Sequence, residues 1–122
     1  MPKAVARRVE KPWGYELIWA DAPRYVGKIL HINRGHRLSL QYHNRKEETI
    51  HVLAGQLRLV VDEGTGLTEI DLAPGDSYHI VPLTKHRMIA ITDCDLLEAS
   101  TPELDDVVRL EDAYGRAGTN KP

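Results

Sequence analysis

Punctuation by turns is what most limits the folds open to this chain. Turn-forming clusters recur at DAPR (21–24), NRGH (33–36), AGQ (54–56), DEGTG (62–66), APGD (73–76) and TDCD (92–95). No window before residue 100 sustains a helical period. Between the turns lie short runs with strand character: 15–19, 26–32, 38–43, 49–53, 57–61, 68–72, 77–81, 87–91 and 95–99. Leu57, Leu59 and Val61 alternate with Arg58 and Val60, the period of a half-buried strand. Short strands spaced about ten residues apart predict an all-β sandwich or barrel. The tail differs. Thr101-Pro102-Glu103 has the cap, first-turn proline and early carboxylate of a helix start. A short helix or an extended arm is therefore expected over 101–116, seating Val107, Val108 and Leu110 on the barrel.

At 122 residues the chain has room for one compact unit, expected as a barrel core over 13–100 followed by the arm. Cys94 is the single cysteine, so no disulfide framework is available. The start, MPKAVARRVEKPWG, is positively charged with no apolar stretch behind it. A reducing cytoplasmic setting is the expectation. No apolar run approaches the ~18 residues of a membrane span, and 16 basic against 18 acidic residues give no footprint for nucleic acid. The expected partner is a small molecule. Six histidines stand out in a chain without phenylalanine.

Two stretches set polar side chains into strand-like sequence. In the first, Gln41 and His43 are two apart and share a strand face, with Leu38, Leu40 and Tyr42 on the other. Glu48 opens the next run with Ile50 and Val52 on its side, and a hairpin would bring it opposite the Gln41/His43 pair. In the second, the turn Pro74-Gly75-Asp76 precedes a strand and a further turn, after which His86 opens another strand. An amide oxygen, two imidazoles and a carboxylate converging inside a barrel would form a divalent metal site with open positions. Taken singly, each of these residues would more simply be solvated or hydrogen-bonded.

The spacing G-x5-(H/Q)-x-H-x4-E-x6-G over Gly35–Gly55, then PGD and a later histidine, resembles the two motifs of the cupins. Within them, Leu38-Ser39-Leu40-Gln41-x-His43 is similar to the phosphomannose isomerase branch. Lys11-Pro12-Trp13-Gly14-Tyr15 and the closing stretch 105–116 resemble the two ends of the isomerase domain in the type II, bifunctional isomerase/guanylyltransferase proteins. The resemblance implies a jelly-roll barrel with Gln41, His43, Glu48 and His86 as ligands to a divalent metal such as zinc or manganese. It departs in three places. The guanylyltransferase portion is not in this sequence, so no nucleotide activity is expected. Val81 and Leu83 stand where a proline and a glycine are usual, and Asn44 and Arg45 replace a run of histidines.

The implied activity is interconversion of an aldose and a ketose, either a sugar or a sugar phosphate, through an enediolate. A non-catalytic sugar-binding or regulatory cupin is the alternative, as is another metal-dependent cupin enzyme, an epimerase or oxygenase. Arg37 is on the face of Ser39, Gln41 and His43, placing it in reach of an anionic sugar substituent. Lys28 on the preceding strand is a second such cation. Arg87 is a third, although alternation turns it away from His86 unless the strand bulges. No residue is identified as the base. His31, His36, His51 and His79 read as structural, Trp13 and Trp19 as packing groups, and Cys94, in an acidic turn, as no nucleophile. The apolar stripe Leu38, Leu40, Tyr42 requires a cover from the terminal segments or a second subunit. Small cupins commonly pair, so a homodimer is expected.

Overall fold

The computed structural model describes residues 3–122 and is built from strands and turns; no helix occurs among the described residues. The strands are β1 (Arg7–Lys11), β2 (Gly14–Asp21), β3 (Val26–Ile32), β4 (Leu40–Tyr42), β5 (Glu48–Ala54), β6 (Leu57–Asp62), β7 (Leu67–Leu72), β8 (Ser77–Ile80), β9 (His86–Ala90), β10 (Cys94–Ser100) and β11 (Val108–Glu111). They form two antiparallel sheets, β1-β2-β3-β10-β5-β8 and β11-β4-β9-β6-β7, which face each other as a jelly roll.

Alternation along each strand decides what the two sheets enclose. Leu57, Leu59 and Val61 of β6 face inward against Met88 and Ala90 of β9, and Leu30, Ile32, Ile50, Val52 and Leu96 close the opposite side. Each such side chain contributes about 1.5–3 kcal/mol on burial. Followed toward one end of the barrel, the same inward positions change character. On β3, Ile32 and Leu30 give way to Lys28; on β10, Cys94 and Leu96 to Glu98; on β5, Val52 and Ile50 to Glu48; on β9, Ala90 and Met88 to His86, all four of them buried. One end of the interior is thus apolar and the other charged.

Trp13 plugs the apolar end. Its neighbour Gly14 (φ +153°) has no room for a side chain, since a Cβ there would lie 1.9 Å from the His31 carbonyl oxygen. That approach explains why Trp13 is followed by glycine.

Of the two forms expected for the tail, the extended arm is the one found: turns occupy the stretch after Thr101, and β11 then pairs with β4, Val108 opposite Tyr42 and Arg109 opposite Gln41. The free edge of β4 recruits a strand, which satisfies its backbone groups as no helix could. Other expectations are corrected. β1 pairs with β2 although the sequence there gave no strand signal. Glu48 does not meet Gln41 and His43 across a hairpin, because β4 and β5 belong to different sheets. It reaches them across the barrel interior.

The run 38–43 is also not one regular strand. Arg37 pairs with Ile89, whereas Gln41 pairs with His86, so the register slips by one residue between them. A one-residue slip reverses which side chains face inward. Leu38 therefore joins the core and Leu40 is buried as well, so two of the three residues of the expected outer stripe are covered within one chain, with Tyr42 half-buried. Among the described residues no helix is long and apolar enough to cross a membrane.

Candidate metal and substrate site

At the charged end, His43 follows β4, Glu48 opens β5 and His86 opens β9. Glu48 is 2% exposed and His86 0%. The Glu48 Oε1 atom is 3.6 Å from His43 Nε2 and 3.2 Å from His86 Nε2, and the two imidazoles are tilted by 53° with centroids 5.3 Å apart. One ligand atom from each of the three residues lies within 4.8 Å of the other two, an arrangement that could hold a metal ion. Gln41, paired with His86 across β4 and β9, lines a cavity of about 210 Å³ together with His43 and Glu48, with His86 buried behind them.

The hydrogen bonds assign the tautomers. His43 Nδ1 is 2.5 Å from the Asp106 carbonyl oxygen and His86 Nδ1 is 2.8 Å from that of Thr84. A carbonyl only accepts, so each Nδ1 carries the proton and each neutral ring leaves a lone pair on Nε2. Both Nε2 atoms are buried without a hydrogen-bond partner. Buried polar atoms are rarely left so, and two of them facing one carboxylate fit a cation between them. Asp106 also receives the backbone N–H groups of Asn44, Arg45 and Lys46 at 3.0, 2.7 and 2.9 Å, which fixes the turn that carries His43.

The turn before His86 keeps its conformation without the usual glycine. Leu83 has φ +67°, in the left-handed region, and its N–H donates to the His43 carbonyl at 2.7 Å. A side chain there costs on the order of 1–2 kcal/mol, a cost the surrounding structure sustains.

Three of the charged groups here escaped the sequence reading. Lys46 Nζ lies 3.1 Å from Glu48 and 3.2 Å from Glu98, while Lys28 Nζ lies 3.2 Å from Glu16 and 4.0 Å from Glu98. An alternating chain of charges thus runs Glu16, Lys28, Glu98, Lys46, Glu48. Burial works against the Glu48 carboxylate, while the Lys46 ammonium beside it favours the charged form, and its pKa is held well below the ordinary value. Burial likewise opposes the Lys46 charge, and Glu98 and Glu48 more than reverse that, raising its pKa. Burial and then the Glu48 charge push the Glu98 carboxyl upward.

Of the cations expected to meet substrate, Lys28 is in the cavity and the other two are not. Arg37 is exposed and turned away by the register slip. Arg87 follows simple alternation: its Nε donates to the Leu38 carbonyl at 2.9 Å and it pairs with Glu111 at 3.5 Å, outside the barrel. The remaining histidines have partners away from the cavity, His31 with Asp95, His36 with Tyr114, His51 with Ser77 and His79 with Glu47. Trp19 is half-exposed and lies over Gly27. Burial, with Asp95 and Asp93, pushes the Cys94 thiol up, which agrees with its having no nucleophilic role.

A family model described as a cupin domain matches residues 28–99, the stretch from Lys28 to the strand that carries Glu98. The chain belongs to the cupin family. This cupin is similar to mannose-1-phosphate guanylyltransferase ManC of Salmonella typhimurium, 34% identical over 116 residues, covering 90% of this chain and 23% of that protein. It is likewise 32% identical over 114 residues to the alginate biosynthesis protein AlgA of Pseudomonas aeruginosa, covering 88% of this chain and 23% of that one. The chain therefore spans less than a quarter of the length of either relative. Among solved structures, KdgF from Halomonas superposes with TM-score 0.69 at 23% identity, over 80% of this cupin and 87% of that chain. Oxalate decarboxylase from Bacillus subtilis does so with TM-score 0.75 at 15% identity, over 86% and 30%. At such identities the two structures speak to the fold.

Proposed function

We propose that this cupin binds a divalent metal, zinc or manganese in class, through Gln41, His43, Glu48 and His86, and interconverts an aldose and a ketose of the sugar-phosphate type. The observation that carries the reading is the pair of buried, unpartnered Nε2 atoms around an anionic Glu48. The isomerase part rests on the resemblance to phosphomannose isomerase and on the similarity to ManC and AlgA, whose names point to mannose phosphate and sugar polymers.

Three neutral ligands and one carboxylate leave a divalent ion with net charge near +1, so the bound ion would polarise a carbonyl and favour negative charge on adjacent oxygens. The protein's own groups prepare that environment. Lys46 keeps Glu48 anionic. Leu30, Leu38 and Met88 supply the apolar part of the cavity lining. Glu98, whose pKa burial raises, is a cavity carboxyl placed to exchange a proton.

The decisive experiment combines metal analysis of purified protein with a solvent proton-exchange assay at C2 of mannose 6-phosphate. Bound metal with exchange is the expected result. Metal without exchange on any hexose phosphate would sink the isomerase and favour a sugar-binding module or another cupin chemistry.

The reading includes a homodimer in the reducing cytoplasm, where the buried thiol of Cys94 stays unpaired. The outer face of the six-stranded sheet supplies an apolar row, Leu17, Ile29 and Leu97 in register beside Trp19. A solution mass near the 13.8 kDa of one chain would overturn the dimer, and recovery of the protein from an oxidising compartment would overturn the location.

A further inference from the structure

The charges lining the cavity do not cancel pair by pair. Glu16 is matched by Lys28, and Lys46 is shared between Glu98 and Glu48, which leaves one carboxylate in excess at that end. Asp106 is committed to three backbone N–H groups, Arg7 at the rim meets Asp21 at 3.6 Å, and Asp105 is exposed there. Lys11 and Arg109 remain, both lining the cavity and neither in an ion pair among the described residues. Arg109 is 8% exposed; one of its terminal nitrogens donates to the Thr119 carbonyl at 3.1 Å, while its Nε is buried with no acceptor. The neighbouring Arg116 is paired with Asp112 at 2.9 and 3.0 Å and is a further cation beside Lys11 and Arg109.

Register places Arg109 relative to the candidate ligands. Arg109 is opposite Gln41, and Gln41 is opposite His86, so the three stand in one row across β11, β4 and β9. Residues directly opposite share a face of the sheet. At about 4.8 Å per strand, the backbone of Arg109 lies about 10 Å from that of His86, a span of the order of a hexose phosphate's length.

The geometry points to Lys11 and Arg109 as the binding site for the phosphate of a sugar phosphate, beside Gln41 and two strands across the sheet from His86. This assignment rests on the sugar-phosphate reading above and names the residues that would make the substrate a phosphate ester. A guanidinium with an unused Nε–H offers paired donors in the geometry a phosphate accepts, and an ammonium beside it adds a point charge. Burial, together with the charges of Lys28, Arg109 and Arg116 against the single carboxylate of Glu16, holds the Lys11 pKa below its ordinary value. A bound dianion would relieve that repulsion.

Inorganic phosphate, titrated calorimetrically into chelator-treated protein, tests the site without reference to catalysis. The wild type is expected to bind phosphate, and Lys11→Gln and Arg109→Gln are each expected to weaken it at least tenfold, leaving metal content unchanged. Lys11 sits on a strand at the sheet edge, so Lys11→Gln decides the matter even where Arg109→Gln fails to fold. Absence of phosphate binding to the wild type, or undiminished binding to Lys11→Gln, overturns the assignment. The two readings fail separately: phosphate binding lost in the variants without any sugar isomerisation leaves this site standing. Isomerisation of unphosphorylated mannose as fast as of its phosphate removes this site and spares the isomerase.

Discussion

His43→Ala and His86→Ala are each expected to purify without divalent metal under conditions in which the wild type retains it, with apparent affinity reduced at least about 100-fold. The reason lies in how the rings are held. Each Nδ1–H is fixed by a backbone carbonyl, from Asp106 and Thr84, so each Nε2 presents its lone pair with no rearrangement. Loss of a partner that merely orients a ligand costs about 10–100-fold, and loss of the ligand itself should exceed that. Elemental analysis is the direct check. Thermal unfolding gives a second, because a ligand at about 100 times its dissociation constant stabilises the native state by about 2.7 kcal/mol. The wild type should gain that increment on addition of zinc or manganese, and the alanine variants should not. Metal content unchanged in both variants would falsify the ligand assignment, whatever the activity.

The strands between 15 and 99 were legible because turn residues bound them and alternation runs through most of them, as in Leu57, Leu59, Val61. His43, Glu48 and His86 were legible through motif spacing, but the geometry that unites them was not. Glu48 comes from the sheet opposite β4, a long-range pairing that local pattern does not encode. Arg37 was misplaced because strict period-2 counting cannot see the one-residue slip between Arg37 and Gln41. The tail was ambiguous because a helix-start signature competed with the unpaired edge of β4, and the edge prevailed. Lys28 was read as a substrate contact, while its partners Glu16 and Glu98 and the buried Lys46 went unread. The signal for Glu98 was present: it continues the inward parity of Cys94 and Leu96, and a charged residue on an apolar parity is the mark of a functional interior. Lys46 had no such signal, since it lies in a turn and its burial depends on contacts from β5 and β10.

Lys46→Met should produce the largest loss of stability among single changes in the cavity, and its pH dependence identifies the cause. The ammonium lies between Glu48 and Glu98, both almost fully buried. Its removal leaves two carboxylates with only Lys28 nearby, and breaking a buried ion pair by deleting one partner costs about 3–5 kcal/mol. In the wild type the depressed Glu48 pKa means that this group stabilises the fold above its ordinary value of 4.5 and ceases to do so as pH falls through its folded value. Without Lys46 the sign of the dependence is set by Glu98. Burial already raises its pKa and Lys46 is the nearest charge opposing that rise, so its native-state pKa lies further above the unfolded one and the native state takes up a proton that the unfolded chain does not. The variant should therefore gain stability as pH falls from about 8 to about 5, narrowing its deficit against the wild type. Glu98→Gln, which keeps the Lys46–Glu48 pair and removes the carboxylate that burial disfavours, should lose far less. Denaturant unfolding of the three proteins at both pH values measures this, and a deficit for Lys46→Met that is equal at both would mean that lost packing, not the two stranded charges, accounts for it.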